Sequence, residues 1–184
     1  ALARRGIQAE AVRGAVVDIG MGDTDISFSW ENLFAANKAI IDADADRYFF
    51  VPDAVEVTVS GAPEMTAHAP VYPNKPERGE RLLHFTGKVL LPRAEVEKGG
   101  MLRLKDLFNI RMTGEATAEY AGESLAEARK EKAPIIQWLP AENAAPCSLL
   151  TPEGMQDGFA EPEVLGYAGK IVQFERVGFA KIDA

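Results

Sequence analysis

Apolar residues at helical spacing dominate the first 20 positions of the chain. They recur at the spacing of an amphipathic helix, and they are Leu2, Ile7, Ala11, Val12, Ala15, Val16 and Ile19. Gly20 and Gly22 end this pattern, and the side chains of Asp23, Thr24, Asp25 and Ser27 are able to cap a second helix from about Ser29 to Ile40. We predict an α-helical hairpin over 1–45. Because Ala1 already lies in the helical pattern, we expect the chain to begin within a domain.

Beyond Asp46 the pattern changes to the alternation that is typical of β-strands. Val55, Val57 and Val59 alternate with polar residues, and Gly and Pro separate most of the apolar runs that follow. Strands are predicted near residues 48–51, 55–59, 82–85, 88–91, 101–104, 108–112, 116–120, 135–138, 147–150, 170–174 and 179–182. Short strands at this spacing favour a mainly β fold, as a barrel or sandwich. Residues 124–132 form either a surface helix or a loop.

Composition indicates a packed globular protein. The chain has 184 residues, of which 47% are hydrophobic and 26% charged, so it is able to bury a substantial core. No apolar run approaches the roughly 20 residues that a membrane-spanning helix needs. The single cysteine, Cys147, is unable to form an internal disulfide, and we therefore expect a reducing, cytoplasmic environment.

The net charge argues against nucleic-acid binding, whereas the local charge of one segment is compatible with it. The net charge of −8 is unlike that of a protein with a broad basic surface. Residues 77–111, however, contain eight Lys and Arg against five Asp and Glu, an excess of +3. Phosphate binding needs only a local basic patch, so this segment keeps RNA binding open, although a mixed solvated surface explains it equally well.

The sequence offers little support for catalysis within this chain. His68, His84 and Cys147 lack the close spacings of metal sites, and residues 122–126 and 166–170 fail to match a nucleophile elbow and a phosphate-binding loop. Arginine next to aromatic residues, as in Arg47-Tyr48-Phe49-Phe50, suits the recognition of unpaired RNA bases. The same pattern also fits a core strand beside a surface arginine, and from the residues alone that second interpretation is favoured.

Several motifs in fixed order resemble one family. They are Arg4-Arg5-Gly6-Ile7-Gln8-Ala9-Glu10, Thr24-Asp25-Ile26-Ser27-Phe28-Ser29-Trp30, Asp46-Arg47-Tyr48-Phe49-Phe50-Val51, Tyr72-Pro73-Asn74-Lys75-Pro76-Glu77-Arg78-Gly79, Arg103-Leu104-Lys105-Asp106-Leu107-Phe108, Ile135-Ile136-Gln137-Trp138, Gly158-Phe159-Ala160-Glu161-Pro162 and Val172-Gln173-Phe174-Glu175-Arg176. Together they span nearly the whole chain. The chain therefore resembles the C-terminal anticodon-binding region of archaeal-type glutamyl-tRNA synthetases, within the class I family of glutamyl and glutaminyl enzymes.

This resemblance implies a division into domains and a parent activity. It implies a helical segment over 1–45 that follows a catalytic domain, a proximal β-barrel over 46–96 and 146–184, and a distal β-barrel over 97–145 inserted in it. The parent enzyme would join glutamate to tRNA-Glu with ATP and Mg²⁺. The family's HIGH and KMSKS motifs are absent from this sequence, so the resemblance implies no catalytic residue, cofactor or metal here. The implied partners are the anticodon stem-loop of tRNA-Glu and the N-terminal catalytic domain of the same protein.

The resemblance also assigns site residues. Arg47 matches the arginine that binds the middle anticodon uridine in glutaminyl relatives, and Arg103 with Lys105 matches arginines near the first anticodon base. We expect Arg103 and Lys105 to share one face of a strand. A glutamine that contacts the middle base in some relatives is replaced by Asp157, with Gln156 next to it. Gln156 is therefore the fourth candidate for anticodon binding.

A shorter segment before Arg103 sets this chain apart from glutaminyl relatives. Those enzymes insert a longer basic loop that contacts the third anticodon base, whereas this chain has only residues 96–102. We hypothesise relaxed discrimination, so that tRNA-Gln would be charged with glutamate as well. Two alternatives stay open: the corresponding region of a glutaminyl-tRNA synthetase, and a β-barrel platform for protein interactions in a synthetase assembly.

Overall fold

Two helices begin the first of two units in the chain. The computed structural model describes residues 2–20 and 28–183, and its two units are Ala1–Asp46 with Leu165–Ala184, and Arg47–Val164. A short 3-10 helix, Ala3–Arg5, precedes α1 (Ala9–Ile19) and α2 (Trp30–Ile41). The Ser29 hydroxyl accepts a hydrogen bond from the Asn32 N–H at 3.3 Å and so caps α2. The predicted helical segment is confirmed, and the predicted caps at 23–27 lie outside the described residues.

A small apolar core holds the two helices together. Ile7, Ala11 and Leu33 are buried against one another, in agreement with the apolar spacing of the sequence. The same unit ends in the antiparallel hairpin of β14 (Ile171–Phe174) and β15 (Gly178–Lys181), which follows a 3-10 helix over Pro162–Tyr167. Arg4 donates to Asp183 at 2.8 Å, so the two ends of the described chain are joined within this unit.

The second unit contains thirteen strands and two short helices among the described residues. They are β1 (Asp46–Tyr48), β2 (Phe50–Pro52), β3 (Ala54–Ser60), β4 (Met65–Pro70), β5 (Glu80–Phe85), β6 (Lys88–Pro92), α3 (Arg93–Lys98), β7 (Met101–Leu104), β8 (Asn109–Met112), β9 (Thr117–Tyr120), α4 (Leu125–Lys130), β10 (Ile135–Ile136), β11 (Leu139–Pro140), β12 (Ala145–Thr151) and β13 (Gly154–Ala160); Asp46 itself falls in the first unit. A 3-10 helix over Pro76–Arg78 lies between β4 and β5.

Twelve of these strands form three sheets, and residues of all three sheets contribute to a common core. Seven strands pair in the order β10-β7-β8-β9-β3-β6-β11, three in the order β12-β13-β2, and β4 pairs with β5. The core between them contains the fully buried rings of Trp138, Phe49, Phe85 and Phe108. Phe108 meets Phe85 edge-on at a centroid distance of 4.9 Å, a favoured arrangement of aromatic rings.

The mainly β fold is confirmed, and the structure corrects several details. Strands β4 and β13 and helix α3 were absent from the prediction, and the strand expected at 135–138 is divided into β10 and β11. Residues 124–132 contain the helix α4, whose cap is the Ser124 hydroxyl. The division of the β region into a proximal and a distal barrel stays a prediction.

Candidate nucleic-acid interface

Arg47 lies in β1 beside a buried aromatic ring. Its backbone N–H donates to the Val71 carbonyl at 3.0 Å, and its guanidinium carbon is 4.9 Å from the centroid of the Tyr72 ring. Tyr72 is only 8% exposed, so its ring supports the guanidinium and does not itself offer a stacking surface. A planar guanidinium held over an aromatic face presents its N–H donors in a fixed orientation.

Two further cations lie against the same ring. Lys75 Nζ is 5.2 Å and the Arg78 guanidinium carbon 5.5 Å from the Tyr72 centroid. We call Arg47, Tyr72, Lys75 and Arg78 the Tyr72 cluster; its three cationic residues are each half-buried. Lys75 and Arg78 were not selected from the sequence as candidates for the interface. The available signal was a tyrosine followed, three and six positions later, by cations in a turn that contains proline.

Lys105 lies against a second aromatic ring. It is the first residue after β7, not part of the strand itself, and its Nζ is 5.2 Å from the Phe49 ring centroid and 3.2 Å from Asp106 Oδ2. Its backbone is fixed on both sides, because its N–H donates to Ile136 O at 3.0 Å and its carbonyl accepts from Trp138 Nε1 at 3.0 Å. Phe49 follows Arg47 by two positions. The candidates Arg47 and Lys105 are therefore linked, because Lys105 contacts the ring of the short extended segment that carries Arg47.

Arg103 makes its contacts within its own sheet. Its Nη1 donates to Asn109 Oδ1 at 3.2 Å and to the Glu123 carbonyl at 2.9 Å. These bonds join β7 to the segment before α4, where the buried Asn109 also donates to the Ser124 carbonyl. Arg103 and Lys105 therefore contact different neighbours, and any contact of Arg103 with RNA would have to use the guanidinium nitrogens other than Nη1.

Gln156 lies on the exposed part of β13. It is opposite Leu149 on β12 and lines a shallow surface groove with Pro52, Met155 and Asp157. The Asp157 carboxylate accepts a hydrogen bond from the Ser148 hydroxyl at 2.6 Å, and this bond fixes the position of the carboxylate. The neighbouring Gln156 amide carries both donors and acceptors, so this pair presents mixed polarity at the edge of the groove.

A buried ion pair fixes the segment that carries Arg47. Glu161 Oε1 accepts the Phe49 backbone N–H at 2.6 Å and also accepts a hydrogen bond from the Arg81 guanidinium; both charged side chains are 3% exposed. The Arg81 guanidinium carbon lies 4.7 Å from the Phe49 ring centroid. Burial raises the pKa of Glu161 to about 7, although Arg81 and the Phe49 N–H favour its ionised form.

The two histidines, His68 and His84, make ordinary side-chain hydrogen bonds. His68 Nδ1 lies 2.9 Å from Glu80, and His84 Nδ1 lies 2.9 Å from the Thr66 hydroxyl. Within residues 2–20 and 28–183, no three His, Cys, Asp or Glu side chains are grouped to hold a metal ion. None of the helices in the described part of the chain has the length and apolar character to cross a membrane.

Comparison with known proteins gives consistent matches along the chain. Two family models match, at residues 45–127 and 135–183, and both are described as "tRNA synthetases class I (E and Q), anti-codon binding domain"; together they cover roughly seven tenths of the chain. Glutamate–tRNA ligases are similar over the whole chain: that of Methanocorpusculum labreanum is 79% identical, that of Methanoculleus marisnigri 58% and that of Methanocaldococcus jannaschii 41%. The chain spans about a third of the length of these relatives.

Proposed function

The chain belongs to the class I tRNA synthetase family for glutamate and glutamine, as its anticodon-binding domain, and we propose that it binds the anticodon loop of a glutamate-accepting tRNA. The observation that carries this proposal is the guanidinium of Arg47 held over Tyr72, at the position where the family resemblance expects contact with the middle base. The whole parent protein would be a cytoplasmic glutamate–tRNA ligase, with ATP and Mg²⁺ used by its catalytic domain.

Recognition of the middle base follows from hydrogen-bond chemistry. A uracil edge presents two carbonyl acceptors, and the guanidinium of Arg47 supplies N–H donors in one plane. A well-formed contact of this kind discriminates against a wrong base by about 1–3 kcal/mol. Lys105, which is paired with Asp106, would supply N–H donors next to the same segment, and Gln156 would supply a polar contact at the edge of the groove. Arg103 would act partly by fixing β7, through the bonds to Asn109 and Glu123.

The segment before Arg103 supports relaxed discrimination at the third base. Residues 93–98 form α3, and Gly99 and Gly100 connect it directly to β7, so this stretch contains no long basic loop. We propose that tRNA-Gln binds about as well as tRNA-Glu. A preference above roughly tenfold, which corresponds to about 1.4 kcal/mol, would contradict this and favour a domain that distinguishes the two tRNAs.

Binding of anticodon stem-loops to the 184-residue chain tests the proposal. The RNAs are those of tRNA-Glu, tRNA-Gln and a tRNA-Glu loop with a changed middle base, each measured with the wild type and Arg47→Ala. The control is Arg111→Ala, which removes an exposed arginine paired with Glu131. We expect the base change and Arg47→Ala each to cost about 1–3 kcal/mol without adding, because they remove the same contact.

The opposite outcome identifies a different function. If the three RNAs bind equally to wild type and Arg47→Ala, or if none binds, anticodon recognition by this chain is wrong. The platform for protein interactions would then be the better interpretation, and its partner would be sought among proteins.

A further inference from the structure

The loop between β4 and β5 is a closed structure. Val71 N–H donates to the Gly79 carbonyl at 3.1 Å, and inside this closure Lys75 N–H donates to Tyr72 O at 3.1 Å and Arg78 N–H to Lys75 O at 3.0 Å. Pro76 begins the 3-10 turn and fixes its own φ angle. The loop therefore fixes the backbone at Lys75 and Arg78, and little backbone conformational entropy is lost when a ligand binds.

The charges of the Tyr72 cluster are concentrated. All three cationic groups lie within 5.5 Å of one ring centroid, so each pair is separated by less than about 11 Å, near the screening length at physiological salt. The negative face of the Tyr72 ring offsets part of their repulsion. Glu77, in the same turn, is the one carboxylate of residues 71–79, so the sequence of this loop contains two cationic side chains and one anionic side chain.

The chemistry of the cluster favours an anion over a base. Because the Tyr72 ring is buried, a ligand meets the half-buried cations and not the aromatic face. Lysine acts as a compact point charge and arginine as a fork of donors, and both bind phosphate oxygens well. Contacts to phosphate position a nucleic acid, while contacts to base edges specify its sequence.

We propose that Lys75 and Arg78 form a binding site for a phosphodiester of the RNA loop, next to the base that Arg47 contacts. This inference rests on the proposed function, since it concerns the same RNA. It divides the Tyr72 cluster by role: Lys75 and Arg78 hold the backbone and set the position of the loop, and Arg47 donates to the base. The two roles predict different consequences of substitution.

The test compares Lys75→Gln, Arg78→Gln and the double variant with Arg47→Ala, using the 184-residue chain. The control is Lys98→Gln with Arg111→Gln, which removes one exposed lysine and one exposed arginine paired with Glu95 and Glu131. Dissociation constants for the tRNA-Glu stem-loop and its middle-base mutant are measured between 50 and 200 mM KCl. Urea unfolding followed by tryptophan fluorescence verifies that each variant is folded.

The logarithm of the binding constant falls linearly with the logarithm of the salt concentration. Loss of one phosphate contact makes this slope shallower by about 0.7 for single-stranded RNA. We expect this decrease for each of Lys75→Gln and Arg78→Gln, with equal fold-losses of affinity for the cognate and the mutant loop. The control keeps the wild-type slope. Unchanged slopes in folded variants, or a loss confined to the cognate loop, would overturn the inference.

Two further experiments distinguish a phosphodiester of the RNA from a free phosphate ion as the bound anion. In stem-loops with one neutral methylphosphonate at successive positions, one position should weaken binding of the wild type but not of the double variant. Inorganic phosphate is added as a competitor, and KCl at the same ionic strength is the reference. Phosphate should not displace the RNA at concentrations at which an unlabelled stem-loop displaces it. Equal displacement by inorganic phosphate would indicate a general anion site and refute a site built for RNA.

The outcomes also separate this inference from the proposed function. If the wild type prefers the cognate loop and Arg47→Ala abolishes that preference, the proposed function stands even when the slopes do not change, and only the phosphate site is wrong. If the wild type shows no preference between the loops, the proposed function fails, and the phosphate site for the anticodon loop fails with it.

Discussion

Replacing Glu161 by glutamine tests how the buried ion pair with Arg81 responds to pH. Glutamine keeps an oxygen that is able to accept the Phe49 N–H and removes the titrating carboxyl. Burial raises the pKa of Glu161 from 4.5 to about 7, while Arg81 and the Phe49 N–H lower it and Glu163 raises it further. Because Arg81 and Glu161 are each 3% exposed, solvent screens this group little.

The raised pKa fixes the sign of the effect on stability. Below pH 4.5 the carboxyl is protonated in both the folded and the unfolded chain. Between pH 4.5 and about 7 the folded chain retains a proton that the unfolded chain releases, so the contribution of Glu161 to the free energy of unfolding decreases as pH rises. The slope is about 1.4 kcal/mol per pH unit, and the total is about 3 kcal/mol over the window. Glu161→Gln lacks this decrease.

Urea unfolding between pH 4.5 and 8 measures the effect. In a Trp30→Phe background, Trp138 is the remaining tryptophan; it is fully buried in the same unit as Glu161. We expect the free energy of unfolding of wild type, minus that of Glu161→Gln, to decrease by about 3 kcal/mol from pH 4.5 to 8. Glu163→Gln should reduce the decrease, because removing this neighbouring charge lowers the pKa of Glu161. Glu131→Gln, far from the pair in sequence, should retain the wild-type decrease.

An increase of the same difference with pH would refute the reasoning. It would mean that the attraction of Arg81 exceeds the cost of burying the carboxylate, and that the pKa of Glu161 in the folded chain is below 4.5. A constant difference would mean that the pKa is the same in the folded and unfolded chains.

Three further predictions concern other parts of the second unit. Gly158→Ala should cost more than about 2 kcal/mol in urea unfolding, because the new Cβ would lie 2.2 Å from the Val51 carbonyl oxygen; an unchanged midpoint would contradict this close approach. Phe108→Ala should cost about 3–5 kcal/mol, since Phe108 is fully buried against Phe85, and a cost under about 1 kcal/mol would show that the core repacks. Burial raises the pKa of the Cys147 thiol, so DTNB at pH 8 should react more slowly with the folded than with the urea-unfolded chain, and equal rates would count against this burial.

The predicted strands are those whose apolar residues alternate or run together. Val55, Val57 and Val59 belong to β3 because their side chains fit a pleated, half-buried surface. Strand β4 lacked this signal, since its buried positions Ala67 and Ala69 have small side chains and alternate with polar ones. Strand β13 contains two glycines and an aspartate, and it forms through pairing with β12 and β2. Such tertiary pairing overrides local propensity and leaves no local pattern.

The candidate site could be predicted from sequence only in part. The resemblance identified Arg47, and the structure adds the ring that supports it. The resemblance did not predict the contacts of Arg103 with Asn109 and Glu123. The contact with Glu123 is made to a backbone carbonyl that is distant in the sequence. Lys75 and Arg78 were visible as charges, but their approach to Tyr72 depends on hydrogen bonds within the turn, which a count of residues does not reveal.

The basic excess of residues 77–111 illustrates why sequence charge is a poor guide to a binding surface. At least six of the eight cations in this segment are paired with carboxylates in the described part of the chain, and four of the carboxylates in these six pairs come from outside the segment. The pairs are Arg81–Glu161, Lys88–Glu56, Arg93–Asp53, Lys98–Glu95, Lys105–Asp106 and Arg111–Glu131.

Folding thus neutralises most of the segment that the sequence marked as basic. The cations that we propose for RNA binding belong instead to the Tyr72 cluster, of which only Arg78 lies within residues 77–111. A protein that meets RNA through so few cations should release few counterions. We therefore expect a shallow salt dependence, with selectivity determined by the contact of Arg47 with the base and not by the net charge of −8.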